Sequence, residues 1–194
     1  DISGGTISGQ VIGGMVRYPT ARSTATGNTI TIRLSDETDP NSGPVLYNVE
    51  LIGGMLGDGN GGWSYTSSGN TLNFDGVSGL SVRSINGFEH LGFMLPTEGN
   101  TILNITGGST DLDGMTISVG ARGDNARAET GLTLNLINNS NGISGKTINL
   151  PDVFMKGHSL RYEIELLDDD GNVIARNNGS DLSIVSVLMQ YAAR

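Results

Sequence analysis

The chain of 194 residues has no cysteine, which removes disulfides, thiol nucleophiles and cysteine-held metals in one step. Lysine is almost missing too, represented by Lys146 and Lys156, and 11 Lys plus Arg against 20 Asp plus Glu leave a formal net charge of −9. With no basic stripe to neutralise phosphates or to dock on an anionic bilayer, neither nucleic acid nor membrane is an expected partner. Histidine is limited to His90 and His158, and no Gly-x-Ser-x-Gly elbow accompanies them, so a nucleophilic triad has little to be built from. No apolar run approaches the ~20 residues that a membrane-spanning helix needs.

What the chain has in quantity is glycine, 30 residues of it, with much Asn, Ser and Thr. Internal glycines cost a helix about 1 kcal/mol each relative to Ala, whereas these residue types suit turns and strands, so a mainly helical fold is not expected. The glycines keep no every-third-residue period, which excludes collagen. At this length, with 36% hydrophobic and 16% charged residues, one domain with its own core is the expectation.

Period-2 alternation recurs in short windows. Ile30, Ile32 and Leu34 share one face while Thr29, Thr31 and Arg33 share the other. Met115 to Ala121, Leu132 to Leu136 and Leu160 to Leu166 read the same way. Between such windows stand Asp58-Gly59-Asn60-Gly61-Gly62, Asp113-Gly114, Asn141-Gly142 and Asp170-Gly171, residues able to take the positive φ of tight turns. The pattern predicts an all-β sandwich or barrel with frequent hairpins, the clearest over 160–175. Ser35 to Pro44 reads as an exposed acidic loop, Leu150 to Gly157 as a short helical stretch started by Pro151 and Asp152. No repeat of fixed period is evident.

The two ends differ from the middle. Along the N-terminal segment Ile7, Gly9, Val11, Gly13 and Met15 fall on one face, large and minimal side chains in alternation. Such a strand suits a groove with successive pockets, and equally an ordinary first strand of its own sheet. Leu182 to Tyr191 is apolar on both faces, with Val185, Val187, Met189 and Tyr191 on one of them, so it needs neighbours above and below.

With its leading Ile-Ser-Gly-Gln-Val-Ile-Gly-Gly-Met-Val at 7–16, the central Gly92-Phe93-Met94-Leu95-Pro96 and a closing strand ending near Tyr191, the chain resembles the cysteine-free, κ-class-like fimbrial subunits of the chaperone–usher pathway. The resemblance implies an immunoglobulin-like β-sandwich lacking its last strand, with at most one or two short helical turns. It divides the chain into a donor strand at 1–18 and a sandwich at 19–194. Ile7, Gly9, Val11, Gly13 and Met15 would insert into a neighbour, and Val185, Val187, Met189 and Tyr191 would border the receiving groove. It further implies neighbouring subunits and a periplasmic chaperone as partners, a host glycan or receptor as a target, and export to a bacterial surface. A start at Asp1 fits removal of a signal peptide and fits a trimmed chain as well. The chain departs from the common pattern of fimbrial subunits in having no disulfide, and from the larger κ-class subunits in being shorter.

Other candidates are set beside plainer explanations. Trp63 and Tyr65 could form an aromatic platform for a sugar in a lectin-like module, although a lone Trp is more often a core anchor. Arg122-Gly123-Asp124 spells a tripeptide that integrins read, and its Gly and Asp are also what a turn selects. Asp168, Asp170 and Asn172 offer calcium-type oxygen ligands on one turn, without the closing Glu of a complete loop. Asn104, Asn138 and Asn178 begin glycan-acceptor triplets that an Asn-rich chain produces by chance. Glu163 and Glu165 alternate with apolar neighbours, which turns them to solvent and away from a paired-carboxylate site. No cofactor and no enzymatic activity are expected.

Overall fold

Gly, Asn and Asp punctuate the chain at nearly every corner, and most of those corners turn it onward in the same sense instead of doubling it back. The computed structural model describes residues 1–99, 101–120, 134–144, 154–156, 160–166 and 181–191. Sixteen strands are defined: β1 (Thr6–Val16), β2 (Thr29–Arg33), β3 (Val45–Gly57), β4 (Trp63–Thr66), β5 (Thr71–Asp75), β6 (Leu80–Val82), β7 (Ser84–Asn86), β8 (His90–Met94), β9 (Thr101–Ile105), β10 (Thr110–Asp111), β11 (Thr116–Gly120), β12 (Leu134–Asn138), β13 (Ile143–Ser144), β14 (Phe154–Lys156), β15 (Leu160–Leu166) and β16 (Asp181–Tyr191). No helix occurs among the described residues.

Most pairing is parallel. One face of the molecule is the sheet β2-β5-β8-β11, a second carries β6-β9-β12, and a third carries β1-β3-β7. The chain visits these faces in a fixed order: β5, β6, β7, then β8, β9, β10, then β11, β12, β13. Each circuit is one coil of a three-faced solenoid. β10 and β13, paired in parallel, take the place that β7 has in the coil before.

Parallel stacking brings like positions into register, and the core is a set of ladders. On the first face Ile30, Leu72, Leu91 and Ile117 stand one above another, and beside them Ile32, Phe74 and Phe93, all buried. The Phe74 and Phe93 rings stack with centroids 5.2 Å apart. Val11, Leu51 and Ile85 form the matching row on the third face, and Leu80, Leu103 and Ile137 on the second. Each large aliphatic or aromatic side chain so buried contributes roughly 1.5–3 kcal/mol.

Buried corners are tied by asparagine. Asn70 is fully buried; its Oδ1 accepts from the backbone N and Nδ2 of Asn28 at 2.9 and 3.0 Å, and its Nδ2 reaches the carbonyls of Ala25, Thr66 and Gly87 at 3.1, 2.7 and 3.1 Å. Asn139 does the same further along, donating to Gly108 O and Thr110 Oγ1 and accepting from Asn141 N. Gly53 and Gly54 stand where the chain crowds, since a Cβ on either would run into a backbone carbonyl, Gly87 O or Ala25 O.

Some expectations need correction. The chain is all-β, but its sheets are mixed and mainly parallel, which is not the antiparallel pairing of an immunoglobulin-like sandwich. Within the expected helical stretch 150–157, Phe154–Lys156 is a strand, and the remainder lies outside the described residues. The first arm of the expected 160–175 hairpin is β15, which pairs with β16, while 167–180 lies outside the described residues. β16 itself runs antiparallel between β15 and β12 in a six-stranded sheet, a strand with neighbours on both edges.

Candidate functional site

β3 is longer than the coil needs. Residues 50–52 pair with β7, and beyond them Gly54–Gly57 pair antiparallel with β4, so β3 and β4 form a hairpin extending from the third face. β1 follows β3 along this extension, giving the rows Met15–Met55–Tyr65 and Val16–Leu56–Ser64, with Trp63 opposite Gly57.

Trp63 and Tyr65 are two residues apart on one strand and therefore project on the same side. They are 46% and 53% exposed, and Met15, in register with Met55 and Tyr65, is 55% exposed. The lone Trp is thus a surface residue and not a core anchor. Gly57 lets the chain after β1 close over the hairpin base, since a Cβ there would meet the Arg17 backbone. Arg17 and Tyr18 consequently line, with Trp63 and the backbone of the loop glycines, a cavity of about 150 Å³. The Arg17 guanidinium sits over the Tyr18 ring, 5.6 Å from its centroid.

The loop at the hairpin tip is locked by Asp58. Its Oδ1 accepts from the backbone N–H of Asn60 at 2.7 Å and of Gly62 at 2.8 Å. Those bonds hold its carboxyl below the usual carboxylate range. Gly59 and Gly61, at φ 80° and 97°, supply the left-handed backbone that aims the N–H groups inward.

The expected donor-strand residues lie in β1, which pairs in parallel with β3 of the same chain. Ile7 and Val11 are half-buried against the core. Gly9 has φ 86° at a register shift between Ser8 and Gln10, opposite the stretch where Asn48 has φ 51°. Gly13 is small because a Cβ there would lie 2.7 Å from Gly53 O and 3.0 Å from Asn28 Cβ. The alternation that suggested pockets in a groove thus has separate local causes at each glycine.

Of the remaining candidates, Arg122, Gly123, Asp124, Asp168, Asp170, Asn172, Asn178 and His158 lie outside the described residues. Val185, Val187, Met189 and Tyr191 lie in β16, and Glu163 and Glu165 in β15. Asn104 and Asn138 are bonded to each other at 3.2 Å across β9 and β12. His90 is half-buried on the first face, 4.0 Å from Glu89 Oε1. Among the described residues no group of His, Asp and Glu is placed to hold a metal, and no helix is long and apolar enough to cross a membrane. Arg17 and Tyr18 escaped notice in the sequence, where nothing marks them. Only the register of β1 on β3 puts them beside Trp63.

Compared with protein-family models, curated proteins and solved structures, the chain matches none of them. Its class is set by its own geometry: a mainly parallel, three-faced β-solenoid with an aromatic hairpin standing off one face.

Proposed function

We propose that this chain is a non-enzymatic adhesive module of an exported surface structure, and that it binds carbohydrate at the β3–β4 hairpin. The observation that carries this reading is the pair of exposed aromatics on one side of β4, Trp63 and Tyr65, next to a small cavity edged by Arg17 and Tyr18. Aromatic faces accept the apolar C–H face of a pyranose, while Arg and nearby backbone groups serve its hydroxyls. The stacked coils supply a rigid support for such a site.

Assembly into a bacterial fimbria with a periplasmic chaperone is the narrower form of the proposal, and the mainly parallel sheets speak against an incomplete immunoglobulin-like sandwich completed by donor-strand exchange. The pairing of β1 within its own chain supports the ordinary first-strand reading over a lent strand.

Glycan-array binding by the intact protein tests the proposal. Trp63→Ala should lower binding at least about tenfold, since stacking on an aromatic ring is the main contact offered, while a half-exposed side chain leaves stability nearly unchanged. Binding that survives both Trp63→Ala and Tyr65→Ala would overturn it.

A further inference from the structure

Among the described residues, Arg17 makes no ion pair, although the chain carries a net charge of −9. Its recorded partner is the Tyr18 ring. The nearest acid in the hairpin sequence, Asp58, has its Oδ1 turned into the loop, held by the N–H groups of Asn60 and Gly62. Arg17, without an acidic partner, therefore lines a cavity that Trp63 also lines, and the Asp58 carboxylate, still charged, is held in its own loop by the N–H groups of Asn60 and Gly62.

A guanidinium with free donors matches a carboxylate in planar, two-point fashion, and its stacking on Tyr18 limits the orientations lost on binding. The cavity, about 150 Å³, is below the size of drug-like pockets and takes part of a single ring. We propose that the sugar bound at this hairpin is acidic, a uronate or sialate ring whose carboxylate pairs with Arg17 while its C–H face lies on Trp63. This inference rests on the carbohydrate reading above and narrows it to one chemical class.

The test is an array of uronate- and sialate-terminated oligosaccharides printed beside their methyl esters, which keep the ring and lose the charge. The intact protein should prefer the acids by about tenfold at low salt, a preference that shrinks as ionic strength rises. Arg17→Gln should bring acid and ester to equal binding, Arg17→Lys should keep part of the difference, and Trp63→Ala should weaken both. Equal binding of acid and ester by the intact protein, with loss of both on Trp63→Ala, would overturn the acidic-sugar inference and leave the carbohydrate reading standing. Binding to neither set, nor to any neutral glycan, would overturn both.

Discussion

Single polar side chains at the corners do work that a sequence cannot announce. Asn70 serves the carbonyls of three separate segments and accepts twice from Asn28. Asn70→Ala would take a donor from the carbonyls of Thr66 and Gly87 and the acceptor from Asn28, while Ala25 O keeps the Thr66 hydroxyl at 2.8 Å; at about 1–3 kcal/mol for each polar group left unsatisfied, a loss of about 3 kcal/mol is expected. A urea midpoint that falls at unchanged m measures it; a loss below ~1 kcal/mol would contradict the role given to this residue. Asp58 carries a pH dependence. Its carboxyl is held low by the N–H groups of Asn60 and Gly62, so its tie to the loop is complete above the ordinary carboxylate range and is lost as pH falls through its own lower value. An NMR titration following the Asp58 carboxyl and the Asn60 and Gly62 amides should give one shared midpoint below that of a free Asp. A midpoint at or above the free value would refute the coupling. Neither residue differs, as a letter, from the other asparagines and aspartates of the chain; what distinguishes them is which distant backbone arrives beside them.

At the level of elements, the strand-turn alternation was legible and its consequence was not. Ile30, Ile32 and Leu34 announce a half-buried strand whether its neighbour runs parallel or antiparallel, because a period of two specifies faces and says nothing of direction. The donor-strand expectation had the same source. Ile7 and Val11 belong to one inward row, yet Gly9 answers a bulge and Gly13 a close backbone approach. Removal of residues 1–16 tests the element directly. With β1 stripped from β3, the truncated chain should lose the half-buried packing of Ile7 and Val11, on the order of 3 kcal/mol, and unfold at lower denaturant. Unchanged stability together with lost self-assembly is the result that would restore the lent-strand reading. Of the β3–β4 hairpin, Trp63 and Tyr65 were visible in the sequence. Arg17 and Tyr18 became part of the site through strand register alone.

For the whole molecule, composition fixed the class and hid the architecture. Thirty glycines and scarce lysine speak for an all-β chain at any topology. A solenoid betrays itself in sequence when its coils have equal length, and here they do not: the circuit from Thr71 to His90 is shorter than the one from His90 to Thr116, and a long hairpin interrupts the circuit before them. The loop from Ser35 to Pro44 lengthens that same circuit, held by Asp36 bonded to Thr38 and Ser42. Periodicity survives only in the stacked rows of the core. Those rows also settle how the molecule would bear load. Parallel ladders run their hydrogen bonds along the solenoid axis, so a pull along that axis strains the coils in series. A solenoid held at its two ends would yield by shedding circuits one after another, lengthening stepwise and dissipating force as it goes.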